Sequence, residues 1–352
     1  MFDGGEAIRK LALSVARYSG LALLARPLVG GIGAILMLHR VTATPEKPLG
    51  ANRHLSIAPG FLDALIADMK ATGYAFVSMD EAVERIRSGG ASGRFAAITA
   101  DDAYRDNLTE ALPVLEKHAA PMTIYVAPAL IDGHVDLWWD VIDDIVSSQD
   151  RLTLDTKAGA LNLDCATRAQ KRQAHRRLHL YLTFDVAEQD QRRVLHELAR
   201  RSGVDPSAPA RKTLMDWNEI RTIAAHPLVS IGAHTVSHYN LKRLTTIGAQ
   251  REITEVRDRL EAELGEVPRH LAYPYGHAKA VGWREVELAR VAGYVSAVTT
   301  RHGVLRAEHA SHLHALPRIS VNGRYQSVAH IRTMLSGITT PLANRGRMLV
   351  TV

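Results

Sequence analysis

Ala97-Ile98-Thr99-Ala100-Asp101-Asp102-Ala103-Tyr104 is an apolar, strand-like run that stops abruptly at two adjacent carboxylates. Neighbouring carboxylates repel and are costly to desolvate, so a pair at a strand end calls for a cation or a proton. Alone, such a pair reads as a solvated turn or a helix cap. Far downstream, Ile231-Gly232-Ala233-His234-Thr235-Val236-Ser237-His238 repeats the pattern with imidazoles. His234, His238 and one carboxylate make a two-His, one-Asp set. That set leaves coordination positions open for water and substrate, as hydrolytic metal sites require.

Around these two stretches the chain alternates. Strand-like runs are expected at Ile35 to Leu38, Phe76 to Ser78, Phe95 to Thr99 and Met122 to Val126. Four more follow at Leu228 to Ala233, His270 to Tyr273, Val295 to Val298 and Leu316 to Val321. Several are continuously apolar or small, the mark of a parallel sheet buried on both faces. Amphipathic helices lie between them, one opening after Pro59 and closing at Gly73, another from Glu252 to Leu264 ended by Gly265. Strand–helix alternation implies an α/β barrel or a doubly wound sheet. In a barrel, chemistry belongs at the C-terminal strand ends, where Asp101, Asp102, His39, His234 and Tyr275 fall.

At these residues the chain resembles the NodB-type polysaccharide deacetylases, carbohydrate esterase family four. Thr99-Ala100-Asp101-Asp102-Ala103 is similar to the family's Thr-Phe-Asp-Asp-Gly, His234-Thr235-Val236-Ser237-His238 to its His-Ser/Thr-x-x-His, and Pro274-Tyr275-Gly276 to the close of its third motif. The likeness spans roughly Ile35 to Val321. There are departures: Ala100 and Ala103 replace Phe and Gly, Ala272 stands where the family carries an Arg, and the fourth, Asp-rich motif is missing. The fifth, Leu-x-His, has no clean match; Leu313-His314 and Leu316-Pro317-Arg318-Ile319 stand there instead. Leu-Pro-Arg-Ile and Ala-Tyr-Pro-Tyr-Gly resemble the branch linked to exopolysaccharide and chito-oligosaccharide deacetylation.

The resemblance selects a deformed (β/α) barrel and implies a role for each site residue. Asp102, His234 and His238 hold a divalent metal, Zn2+ by default for such ligands, with Co2+ or Ni2+ as alternatives. Asp101 is the catalytic base, and the Tyr275 backbone N–H holds the oxyanion. Arg318 takes over the support of Asp101 left vacant at Ala272. His314 is the first candidate for the acid, with His312 and His39 behind it. Tyr273, Pro274, Tyr275, His39 and Trp139 are candidates for contact with the sugar. The implied activity is metal-dependent removal of N-acetyl groups from amino-sugar residues of an oligo- or polysaccharide, a hydrolysis of non-peptide carbon–nitrogen bonds. The alternatives are an O-acetyl esterase on a related glycan and a metal-retaining, inactive glycan-binding relative.

Composition bounds the rest. The 352 residues carry a formal net charge of +6 and 46% hydrophobic residues. The cations are dispersed, aromatics are scarce and no nucleic-acid module is visible, which argues against nucleic acid as a partner. The expected partner is an acetylated glycan, including a lipid-linked one. A single Cys165 rules out an intrachain disulfide and suits a reducing compartment. Residues 1–32 read as an amphipathic helical segment, interrupted by Arg9, Lys10, Arg17 and Arg26, with no apolar run near the ~20 residues that span a bilayer. It packs on the domain or lies on a membrane surface. The expected location is the cytoplasm or the inner membrane face. The catalytic domain is expected over 33–322, with a helical insertion at about 140–215 whose basic helices span Ala169 to Tyr181 and Gln189 to Arg201. A helix and tail over 323–352 complete the chain.

Overall fold

In a computed structural model of the chain, residues 29–352 are described, apart from 45, 46, 92 and 158. Most of the expected N-terminal segment, up to residue 28, lies outside the described residues.

The described strands are β1 (Gly33–Leu38), β2 (Arg40–Val41), β3 (Ser56–Ile57), β4 (Ala75–Phe76), β5 (Phe95–Asp101) and β6 (Met122–Val126). They continue as β7 (Arg151–Thr156), β8 (Gly159–Asp164), β9 (Val229–Ala233), β10 (His270–Ala272), β11 (Ser296–His302) and β12 (Leu316–Ser320). Seven close into a parallel ring in the order β1-β12-β11-β10-β9-β6-β5 and back to β1, with β4 added to β5. This is the expected (β/α) barrel. β1 and β5 are buried at every position, so neither alternates polar with apolar residues along its length. Inside β5 the one hydroxyl before the carboxylate is satisfied: Thr99 Oγ1 donates to the Leu36 carbonyl at 2.8 Å.

Local chemistry sets where the helices begin. Pro59 opens the helix Pro59–Ala71 with the fixed φ that a first turn needs. The helix expected from Glu252 begins earlier, at Thr246, because the Thr245 hydroxyl accepts from the Gly248 N–H at 3.1 Å. Asp216 and Glu219 make a capping box for Trp217–Ala224. After Gly323 the chain forms helices Val328–Leu335 and Thr339–Ala343. No described helix is long and apolar enough to cross a membrane.

Residues 44–54 and 129–214 form a second compact unit. It holds helices Trp138–Ser148, Arg168–Leu180 and Glu188–Arg201, but is not wholly helical as expected, because β7 and β8 pair antiparallel as a hairpin. In Arg151-Leu152-Thr153-Leu154-Asp155 the two leucines are buried and their neighbours are not, the period-two pattern of a half-covered strand.

Candidate active site

Asp102 follows β5 directly and His234 follows β9, so barrel closure brings both to the same end of the ring. Asp102 Oδ1 lies 3.5 Å from His234 Nε2 and 3.3 Å from His238 Nε2. One donor atom from each of the three residues falls within 4.8 Å of the others. His234 Nδ1 sits 2.7 Å from the Ala272 carbonyl oxygen. A carbonyl only accepts, so the proton is on Nδ1 and Nε2 offers its lone pair toward Asp102. Burial lowers the pKa of both imidazoles, His238 furthest, against the opposing charge of Asp101, and favours the neutral form that binds metal. Two imidazole nitrogens and one carboxylate converging without lysine or arginine between them suit a divalent cation.

The backbone here is unusual. Among the described residues, seven non-glycine positions adopt left-handed φ, and five of them are Asp102, Ala103, Thr235, His238 and Tyr275. Each costs about 1 kcal/mol for an L-residue and persists only where surrounding contacts hold it. The turn after β5 is held by Asp106, which accepts from Arg40 Nε at 2.8 Å and from the Val41 N–H at 3.0 Å. Asn107 ties the same segment to the end of β1 by donating to the His39 carbonyl at 3.0 Å.

Asp101 faces a different partner. Arg318, from β12, is 1% exposed and Asp101 2%. Nη1 donates to Oδ1 and Nη2 to Oδ2, both at 2.8 Å. Two further donors are engaged too: Nη1 reaches Thr99 Oγ1 at 3.1 Å, and Nε donates to the Thr299 carbonyl at 2.9 Å. That carbonyl is available because the β11–β12 register shifts between Val298 and His302, an irregularity that frees it from the ladder. Burial alone would raise the Asp101 carboxyl. The charge and hydrogen bonds of Arg318, then His234 and His39, outweigh burial and hold it well below the usual carboxylate range.

His39 is electrostatically coupled to Asp101, Arg318 and His234, and burial lowers it to about 4. Tyr275 is half-buried, its ring edge-on to His238 with centroids 5.1 Å apart. Thr300 Oγ1 donates to its carbonyl at 2.6 Å. Gly276 has φ 56°, and a Cβ there would meet the Thr300 nitrogen at 2.4 Å, so the turn needs glycine. Pro274 is buried beside it.

Other sequence-derived candidates fall elsewhere. His314 and His312 precede β12 and lie at its N-terminal end, whereas the ligands sit at C-terminal ends; His314 Nε2 is engaged with the Tyr294 carbonyl at 2.8 Å. The acid role drawn from the fifth motif therefore does not fit His314. Tyr273 is fully buried and donates to the His314 carbonyl at 2.9 Å, a position with no surface for a sugar. Trp139 belongs to the second unit, buried edge-on to Trp138 at 5.8 Å. The sequence reading missed Tyr125, which pairs in register with Asp101 and with Gly232. A Cβ on Gly232 would meet its ring at 2.5 Å, so the glycine makes room for the phenol. The signal was present: an aromatic in a central strand opposite a glycine.

Comparison with known proteins agrees with this geometry. Residues 172–294 match the family model described as polysaccharide deacetylase. No curated protein matches the chain in sequence. Among solved structures it is similar to the Streptococcus pyogenes deacetylase PplD in complex with acetate, at 18% identity and TM-score 0.56, covering 86% of this chain and 97% of that one. It is similar to IcaB from Ammonifex degensii, at 16% identity and TM-score 0.52, over 87% and 97% of the two chains. A polysaccharide deacetylase from Bacillus cereus matches at 17% identity and TM-score 0.52, over 86% and 68%. Likeness at these identities shows the fold. The chain has the fold of a NodB-type barrel, and residues 172–294 are similar to polysaccharide deacetylases.

Proposed function

We propose that this chain is a metal-dependent hydrolase that removes N-acetyl groups from amino-sugar residues of an oligo- or polysaccharide. The observation that carries the reading is the pairing of two unlike carboxylates. Asp102 faces two neutral imidazoles, and Asp101 is kept ionised by a buried arginine fork. A purely metal-binding relative has no need of the second.

Asp102, His234 and His238 would hold the cation, Zn2+ by default, with Co2+ or Ni2+ compatible with the same donors. Bound there, it supplies Lewis acidity to the acetyl carbonyl and lowers the pKa of water. Asp101 accepts the proton of the attacking water, and Arg318 fixes the plane from which it does so. The Tyr275 N–H, presented by its left-handed backbone, stabilises the developing oxyanion. Of the three histidines weighed as acid, His39 is the one at the ligand end of the barrel. Neutral at rest, it must first take up the proton collected at Asp101 before passing it to the leaving nitrogen.

Acetate release from N-acetylated and O-acetylated oligosaccharides, with and without chelator, tests this. N-acetyl release abolished by chelator is expected. Release from O-acetyl substrates alone would make the protein an esterase, and binding without release would make it an inactive relative. A lipid-linked substrate belongs in the same panel. The single Cys165, buried in the second unit, and the N-terminal basic residues favour a cytoplasmic place at the inner membrane face. Recovery of the native protein from the periplasm would refute that placement.

A further inference from the structure

The basic residues of the second unit do not share one fate. On Glu188–Arg201, Arg193 pairs with Asp190, Arg200 with Glu197, and Arg192 with Asp136 and the carbonyls of Gly133 and His134. On Arg168–Leu180, Lys171 donates to the carbonyls of Val146, Ser147 and Gln149, and Arg168 to that of Pro48. Arg172, Arg176 and Arg177 are exposed and have neither an acid nor a carbonyl partner among the described residues. They share one face: Ala174, His175 and Leu178 form the buried side, and the three arginines point the other way. The stripe 172, 176, 180, 184 then runs on into exposed apolar side chains, Leu180 at 44% and Phe184 at 47% exposure. Asp185, also exposed, is the acid nearest to it in sequence and leaves the face with an excess of positive charge.

We propose that this helix face docks on an anionic lipid bilayer, with Arg172, Arg176 and Arg177 on the lipid phosphates and Leu180 and Phe184 in the apolar layer beneath them. Guanidinium forks match phosphate. An apolar pair at the end of a cationic stripe needs an apolar phase next to the anions, which a bilayer supplies and a soluble anion does not. A glycan fits less well. Its acetylated form offers no charge to match, and the amines of a deacetylated one would be repelled.

Co-sedimentation of the full chain with vesicles of phosphatidylcholine alone, or mixed with phosphatidylglycerol, tests the proposal at low and physiological ionic strength. The wild-type protein should bind the mixed vesicles and not the neutral ones. Arg172→Glu/Arg176→Glu/Arg177→Glu should lower that partition on the order of a hundredfold. Leu180→Ser/Phe184→Ser should lower it on the order of tenfold and leave its salt dependence in place. Circular dichroism and melting confirm folding, and Arg172→Gln/Arg176→Gln/Arg177→Gln replaces the reversal if it does not fold. Wild-type protein that ignores mixed vesicles, equal binding to neutral ones, or a folded triple variant that binds as well as wild type would each overturn the proposal. The last outcome would place the contact on another segment.

Discussion

Arg318 and Asp101 stand 217 residues apart in the sequence, yet both tips of the guanidinium fork meet both oxygens of the carboxylate at 2.8 Å. Closure of β12 against β1, which also pairs β5, makes them neighbours. With the fork fixed by Thr99 and Thr299, the carboxylate has one orientation rather than many.

Arg318→Met should lower turnover on the order of a hundredfold or more while the metal content of the folded protein is unchanged. Without the guanidinium, burial is no longer outweighed and the Asp101 pKa rises. A base works only when ionised, so the acidic limb of the rate profile should move to higher pH. Stability should fall by about 3 kcal/mol, since one buried charge loses its partner. Arg318→Lys keeps the charge without the fork and should recover part of the stability but little of the turnover. Metal analysis together with a pH–rate profile checks all of this; a variant whose acidic limb stays put contradicts the assigned pairing.

Ligand and base should separate on mutation. Asp102→Ala, His234→Ala and His238→Ala are each expected to lose metal, because each removes one of only three converging donors. Asp101→Asn should retain metal and lose turnover. Elemental analysis of the purified variants decides it, and an Asp101→Asn protein without metal would place Asp101 among the ligands.

Gly276→Ala should distort the turn that presents Tyr275. The added Cβ meets the Thr300 nitrogen at 2.4 Å, and the left-handed φ gives it no room to rotate away. A loss of about 2 kcal/mol in stability and roughly tenfold or more in turnover is expected, with metal retained. Urea unfolding and steady-state kinetics measure both, and wild-type turnover would show that Tyr275 is not tied to this turn.

Acid should weaken the fold through imidazoles that stay neutral in the native state. His302, whose Nε2 is 2.7 Å from Thr339 Oγ1, is lowered to about 4 by burial. In the unfolded chain it takes a proton near pH 6.5. The folded state binds fewer protons between these values, so stability is full above about pH 6.5 and falls as pH drops toward 4. His302→Gln should flatten this loss by roughly 2 kcal/mol between pH 7 and 4. Melting temperatures across that range are the readout; parallel curves for variant and wild type would remove His302 from the account.

The parts of the site legible in the sequence are those where local pattern and chemistry coincide. Asp101, Asp102 and His234 each end an apolar run, so strand polarity alone puts them at one end of a barrel. His314 shows the limit of motif order: it precedes its strand rather than following it, and the same polarity sends it to the other end. Tyr273 is a candidate for the sugar site by its place in the third motif, but it is buried and its hydroxyl is spent on the His314 carbonyl. The fixing of His234 by Ala272 was not readable, since the group that acts is a carbonyl present at every position. The β7–β8 hairpin is hidden in the sequence because the two basic helical patterns that follow it dominate the region.

The β12 origin of the arginine bears on how enzymes of this kind are sorted into working and failed. Motif by motif, Ala272 scores as a deletion and the chain as a decayed copy. In space the carboxylate has its cation, delivered from a different staves' worth of the ring. By the resemblance, an alanine at position 272 is no loss where position 318 supplies the guanidinium. A census that tracks the pair, rather than either column alone, would count fewer extinct members.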